Sequence, residues 1–264
     1  MDPYTPQEGY GQVIRNYCRT VTRLDEHRIL KRTAIRQAKE VDAMKFVADH
    51  TSIPVPKVYA SRHVDGTECL EIVMEYMPGR PLDEVWASLT HDQKIATCRE
   101  LGGYLAQLKA LKGKRIEAIN GAVVHVGIRC PRRGGPFDTE RQFNDFLLEG
   151  PPRGTSHFEE HYIRAGLGDN HDIHFAHGDF APRNILVDDN GHVTAVLDWE
   201  NSGWFPAYWD YIRLFFEPCE KNMQDYADYA RYILPYKYET EIVAYRWLLD
   251  LSEARFVVHA SANW

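Results

Sequence analysis

Two carboxylates and an amide stand where phosphoryl-transfer chemistry would need them. The run His177-Gly178-Asp179-Phe180-Ala181-Pro182-Arg183-Asn184 is followed, after a short hairpin, by Val196-Leu197-Asp198-Trp199-Glu200. Both lie between short apolar segments, so Asp179, Asn184 and Asp198 can converge on one cation and one hydroxyl. The transition state of phosphoryl transfer spreads negative charge over the moving group, and its catalyst must fix metal ions, align the acceptor and offset charge. Asp179 can take or orient the acceptor's hydroxyl proton. Asn184 offers magnesium a neutral oxygen, and Asp198 a charged one that bridges the metal to the phosphates. Four residues separate Asp179 from Asn184, the Asp-x-x-x-x-Asn interval of a phosphoryl-transfer loop. An isolated Asp or Asn in a loop is ordinarily a turn former; the joint spacing makes these three site candidates.

The elements that must position them can be read from periodicity. Ile173 to Ala176, Ile185 to Val187 and Val193 to Leu197 predict short strands, and Asn190-Gly191 between the last two is a hairpin signal. Upstream, the apolar and β-branched runs Val13 to Val21 and Arg28 to Leu30 predict a β-hairpin. Ala34, Ala38, Val41, Met44 and Val47 keep a helical period over 34–50, ended by Pro54 and Pro56. Lys57 to Ala60 and Leu70 to Met74 predict two strands about a turn at Asp65-Gly66. Pro78, Gly79 and Pro81 then break the pattern, which sets a boundary near Met77. Residues 1–77 form a strand-rich unit with one helix, and 78–264 a mainly helical one. In the second unit Thr90 or His91 caps a helix carrying Cys98, Leu101, Leu105 and Leu108, and Thr139 caps another carrying Phe143 and Leu147. A further helix is expected near His157 to Ala165, and three more over Ala207 to Glu217, Lys221 to Ile233 and Glu239 to Val258. Gly113 to Gly135 reads as a long loop with a short strand at Ala122 to Val126.

Composition narrows the class. A chain of 264 residues, 44% hydrophobic and 26% charged, suits a soluble globular protein with a sizeable core. The net charge of -7 argues against a nucleic-acid partner, because neutralising phosphates needs a basic face. Five widely separated cysteines without a Cys-x-x-Cys fit a reducing compartment. No signal-peptide run and no stretch of ~20 apolar residues is present, so no membrane association and a cytoplasmic location are expected. Composition carries no signal for oligomeric state.

The runs around Asp179 and Asp198, with Gly203-Trp-Phe-Pro-Ala-Tyr-Trp-Asp210 after them, closely resemble the aminoglycoside phosphotransferase and choline kinase superfamily. The likeness extends upstream through Thr51-Ser-Ile-Pro-Val-Pro-Lys57 and Val73-Met-Glu-Tyr-Met-Pro-Gly79-Arg-Pro-Leu82, from about Lys31 to about Phe215. Trp199 replaces the phenylalanine of the protein-kinase Asp-Phe-Gly, which favours a small-molecule kinase. The resemblance implies a bilobal α+β kinase-like fold: a small, abbreviated strand-rich N-terminal lobe and a larger, mainly helical C-terminal lobe, with ATP and Mg2+ between them. Asp179 would be the catalytic base, and Asn184 and Asp198 the magnesium ligands. Lys31 resembles the strand lysine that contacts the α- and β-phosphates, and Glu40 its partner; Lys39 and Asp42 are their neighbouring rivals. Glu75 and Met77 fall in the hinge that holds the adenine edge, with Met74 behind the adenine. Members usually carry a fuller hairpin before the strand lysine, whose small, polar or glycine-containing loop covers the phosphates. Only thirty residues precede Lys31 here, and Gly9 and Gly11 are their only glycines.

The acceptor implied is a small molecule bearing a hydroxyl. From Glu200 onward ten acidic residues face six basic ones, and Trp204, Trp209, Trp247 and Trp264 lie there too, with Trp199 just before them. An acidic rim and aromatic faces would suit an amino- or ammonium-bearing alcohol, whereas solvated helix faces and core packing account for the same residues. Arg129 to Arg133 is either an anion contact or a mobile basic loop. A kinase-fold scaffold that binds nucleotide without phosphorylating is the rival reading. His157-x-x-Glu160-His161 matches a zinc pattern, for which a solvated helix face is the better account.

Overall fold

The computed structural model describes residues 2–16, 20–34, 39–67, 69–126, 132–149, 155–216, 223, 225–234 and 237–261. Its first layer is an antiparallel sheet of five strands, β1 (Val13–Asn16), β2 (Thr20–Arg23), β3 (Arg28–Ala34), β4 (Val58–Val64) and β5 (Cys69–Glu75), in the order β1-β2-β3-β5-β4. The run expected as one strand from Val13 to Val21 is therefore two, and the leader forms two hairpins instead of one. No glycine or proline within the run marks a break; residues 17–19 lie outside the described ones.

Helix α1 (Lys39–His50) crosses this sheet and buries Val41, Met44 and Val47. The helical period anticipated from Ala34 starts later, because Ala34 still pairs with Cys69 in the sheet; residues 35–38 are outside the described ones. Two-residue β6 (Arg80–Pro81) pairs with β10 (Ile185–Val187), which pairs in turn with β11 (Val193–Val196). Gly79 has φ +125° and packs where a Cβ would stand 2.8 Å from the Val187 carbonyl oxygen, so only glycine fits this approach.

After a single turn, α2 (Leu82–Val85), the long α3 (His91–Ala110) begins at a capping box. Thr90 Oγ1 accepts from Gln93 N–H at 3.3 Å and Gln93 Oε1 accepts from Thr90 N–H at 2.9 Å. Thr139 and Ser156 cap α4 (Glu140–Leu148) and α5 (His157–Leu167) in the same way. Between α3 and α4 lies a small hairpin, β7 (Val124–Val126) and β8 (Arg132–Gly134). Strand β9 (Ile173–Ala176) leads into the loop of the first acidic run and pairs with β12 (Gly203–Pro206), which follows the second. Helices α6 (Trp209–Phe216), α7 (Tyr226–Ile233) and α8 (Glu239–Ser261) complete the chain. The start expected for α7 at Lys221 lies outside the described residues.

One buried cluster runs from Val41, Met44, Ile72 and Met74 through Leu82, Trp86 and Leu101 to Phe175, Phe180, Ile185 and Trp199. The sheet and the two acidic runs thus share a core, which fixes their distance. A second cluster, with Phe143, Leu147, Phe205, Trp209 and Tyr245, packs α4, α6 and α8. No helix among the described residues is long and apolar enough to cross a membrane.

Candidate active site

Antiparallel pairing with β2 and β5 carries Lys31 into the interior on β3, opposite Ile72. Its ammonium donates to Glu40 Oε1 at 2.6 Å and to Asp198 Oδ1 at 3.1 Å. Lys31 and Glu40 are both buried, while the Asp198 side chain keeps 24% exposure. The two rivals go elsewhere: Lys39 Nζ donates to the Val123 carbonyl at 3.3 Å, and Asp42 accepts from Asn120 at 2.9 Å. Burial and the nearby Arg133 guanidinium push the Lys39 ammonium down to about 8.

Asp198 sits at φ 67°, ψ 58°, a left-handed conformation that aspartate tolerates better than most side chains. The turn Trp199–Asn201 after it packs against α1. Trp199 is fully buried and donates from Nε1 to the Val196 carbonyl at 3.0 Å. Oxygens of Glu40, Asp198 and Glu200 come within 4.8 Å of one another. These are the hard donors that magnesium takes.

The loop from His177 to Asn184 is held from beneath. Asp210, at the start of α6, accepts the backbone N–H groups of His177 (3.1 Å) and Gly178 (2.9 Å). Gly178 has φ +76°, and a Cβ there would collide with the Asn201 carbonyl oxygen. His177 donates from Nε2 to the Leu197 carbonyl at 3.0 Å and accepts the Asp179 N–H on Nδ1 at 3.2 Å. Burial pushes its imidazole below the ordinary histidine range, so the neutral ring works as a brace. Leu197 closes the link, because its N–H donates to the Asn184 carbonyl at 2.8 Å. The loops that carry Asp179 and Asp198 are therefore tied by one backbone clamp.

Asp179 lies among donors. Arg183 Nη2 reaches both carboxylate oxygens, at 2.9 and 2.7 Å, and Arg213 Nη2 reaches Oδ1 at 3.1 Å. Asn184 Nδ2 donates to Asp179 Oδ2 at 3.1 Å and to its carbonyl at 3.0 Å, which leaves the amide oxygen as the end open to a cation. Arg213 Nε also holds the Gly178 carbonyl at 2.7 Å.

At the end of β5, Met74 is buried in the core, and Glu75 N–H donates to the Lys57 carbonyl at 2.9 Å. Tyr76 N–H bonds the His27 carbonyl at 2.7 Å, whereas the Met77 N–H has no partner among the described residues. Arg183 and Arg213 received no role from sequence, and Asp210 and Glu200 only a place in the acidic rim. An Asp-x-x-Arg pair at 210 and 213, on one face of a helix just after the motif, was the only available signal.

Other expectations dissolve in the fold. Trp199 and Trp209 are buried in the two cores, and Trp264 lies outside the described residues. Asp210 points inward to the loop amides. His157 and His161 are exposed on α5 and join no metal-binding group among the described residues. Of the basic stretch 129–133 only Arg132 and Arg133 are described. Arg132 bonds the Leu147 carbonyl at 3.2 Å, and Arg133 Nε meets His125 Nε2 at 2.5 Å.

Solved structures with the same fold include aminoglycoside phosphotransferases. Aminoglycoside 2'-phosphotransferase-IIIa in its GDP complex superposes with a TM-score of 0.67 at 11% identity, covering 99% of this chain and 88% of that one. A thermostable mutant of aminoglycoside phosphotransferase APH(4)-Ia, in ternary complex with ADP and hygromycin B, gives 0.63 at 14% identity over 97% and 90%. Aminoglycoside-3'-phosphotransferase of type VIII gives 0.58 at 20% identity over 93% and 94%. No curated protein matches the chain in sequence. Residues 11–241 match the model of the phosphotransferase enzyme family, and this chain belongs to that family.

Proposed function

We infer that the protein transfers the γ-phosphate of ATP to the hydroxyl of a small molecule. The observation that carries this reading is the pairing of two opposite charge centres across the Leu197 clamp: Lys31 among carboxylates, and Asp179 among cations. Lys31 would contact the α- and β-phosphates, kept in place by Glu40. The hinge of Glu75 and Met77 would hold the adenine edge, with Met74 behind it. Asp179 would orient the acceptor hydroxyl and take its proton. Hard oxygen donors at Asn184 and Asp198, with Glu200 beside them, fit magnesium, which when bound neutralises phosphate charge. The division into a nucleotide-binding lobe to Met77 and a catalytic lobe from Pro78 belongs to the same proposal.

Among acceptors, amino-bearing alcohols are the first class to try, because related folds were solved with hygromycin B and kanamycin. Purified protein should bind ATP in a magnesium-dependent way and consume it when a panel of amino, neutral and anionic alcohols is added. Turnover restricted to neutral or anionic alcohols would remove the amino-alcohol part. Tight nucleotide binding with no turnover on any alcohol would favour the scaffold reading.

A further inference from the structure

Asp179 carries more donors than a working base can keep. Its carboxylate accepts four hydrogen bonds: two from Arg183 Nη2, at 2.9 and 2.7 Å, and one each from Arg213 Nη2 and Asn184 Nδ2, both at 3.1 Å. A carboxylate offers roughly four lone-pair sites. These bonds fill it, and an acceptor hydroxyl has no oxygen left to approach, so one donor must leave before Asp179 can act.

The surroundings of each donor decide which one. The Arg213 side chain is only 6% exposed, and its Nε is also committed to the Gly178 carbonyl at 2.7 Å. Asn184 is 3% exposed, and its Nδ2 is shared with the Asp179 carbonyl at 3.0 Å. Arg183 is 30% exposed and holds the carboxylate through one terminal nitrogen at the end of a long side chain. It can swing away without opening the core.

Building on the kinase reading, we propose that Arg183 is a latch on the base that transfers to the γ-phosphate when a nucleoside triphosphate binds, and there serves as a catalytic residue. A terminal phosphate carries roughly two negative charges and three strong acceptor oxygens, so it outbids one carboxylate for a guanidinium. Asp179 Oδ2 is then exposed to the acceptor. The acceptor oxygen bonds to the γ-phosphorus as its proton passes to Asp179. The bond from the γ-phosphorus to the β,γ-bridging oxygen breaks, and its electron pair leaves with the nucleoside diphosphate. Arg183 offsets the charge on the moving group. Without a γ-phosphate the base stays latched.

The test is calorimetric titration of the full chain with AMP-PNP and with ADP, both with magnesium, for wild type, Arg183→Gln and Arg183→Lys, with thermal melts to confirm folding. Arg183→Gln should weaken AMP-PNP about tenfold or more, the loss of one charged hydrogen-bonding partner, and change ADP by less than about twofold. Arg183→Lys should recover part of the AMP-PNP loss. If Arg183→Gln fails to fold, Arg183→Lys decides by whether AMP-PNP is weakened more than ADP. Equal weakening of both nucleotides, or of neither, overturns the latch and leaves the kinase reading intact. A wild type that binds neither nucleotide overturns both.

Discussion

The two charge centres of the cleft are inversions of each other. Around Lys31 one ammonium is shared by Glu40 and Asp198, which reach it from α1 and from the turn after β11. Around Asp179 one carboxylate is shared by Arg183 and Arg213, both from the C-terminal half. The first centre joins distant parts of the chain, 167 residues apart at its wider pair, and depends on the packing of α1 for its geometry. The second is preassembled on a loop and a helix that Asp210 and His177 tie together. The contrast teaches that the Lys31 centre is assembled by the relation between halves, and the Asp179 centre by local bracing.

The sharpest way to break the contrast is to remove each centre's key group. Asp179→Ala should lower kcat by roughly 10²- to 10⁴-fold, the usual weight of a general base, with nucleotide affinity changed by less than about threefold. Steady-state kinetics and calorimetry together check it. Lys31→Ala should do the reverse in kind, weakening ATP by roughly tenfold to a hundredfold through loss of charged hydrogen bonds. Equal effects of both substitutions on binding would mean that the centres are not functionally separate.

The bracing is tested by Asp210→Ala, which leaves the His177 and Gly178 amides buried without their acceptor. Urea unfolding should show a loss of about 2–3 kcal/mol. A neutral result would mean that the loop does not rest on Asp210.

The smallest expected effect is on pH dependence. His177 is held neutral by burial, so its folded pKa lies below the ordinary 6.5. The stability it contributes is present above pH 6.5 and is lost as pH falls from there through the folded value. His171, away from the cleft, behaves oppositely. The hydrogen bond its ring donates to the Glu140 carboxylate, helped by Glu241 and opposed by burial, raises its pKa above 6.5. Its contribution is complete below pH 6.5 and is lost as pH rises through the folded value. His171→Gln should therefore flatten the alkaline side of the stability profile and leave the acidic side, measured by urea midpoints between pH 5 and 8.

Much of the site was legible because its spacing is local. Asp179, Asn184 and Asp198 lie within twenty residues, and short β10 and β11 leave little freedom in how they meet. Lys31 and Glu40 were legible only through family likeness, since nothing in their spacing shows that a strand and a helix bring them to 2.6 Å. Arg183 and Arg213 were not legible as partners of Asp179. Arginine is usually solvated, and the contact from α6 requires the β9–β12 pairing that turns the chain back. That pairing was itself hidden: β12 is bounded by Gly203 and Pro206, residues that read as strand breakers. The acids and tryptophans after Glu200 suggested an acceptor rim because sequence counts residues without their direction. In the fold Asp210 and Trp209 point into the protein.

The central claim is that Asp179 acts on an alcohol while Lys31 and its carboxylates hold the nucleotide. It is tested most directly by ³¹P NMR of ATP and magnesium incubated with the protein and an alcohol panel that includes hygromycin B and kanamycin, run beside Asp179→Asn. A new phosphate-monoester signal is expected with the wild type and none with Asp179→Asn, whose ATP affinity is retained. An Asp179→Asn protein that forms the ester at the wild-type rate, or a wild type that binds ATP and esterifies no alcohol, would contradict it.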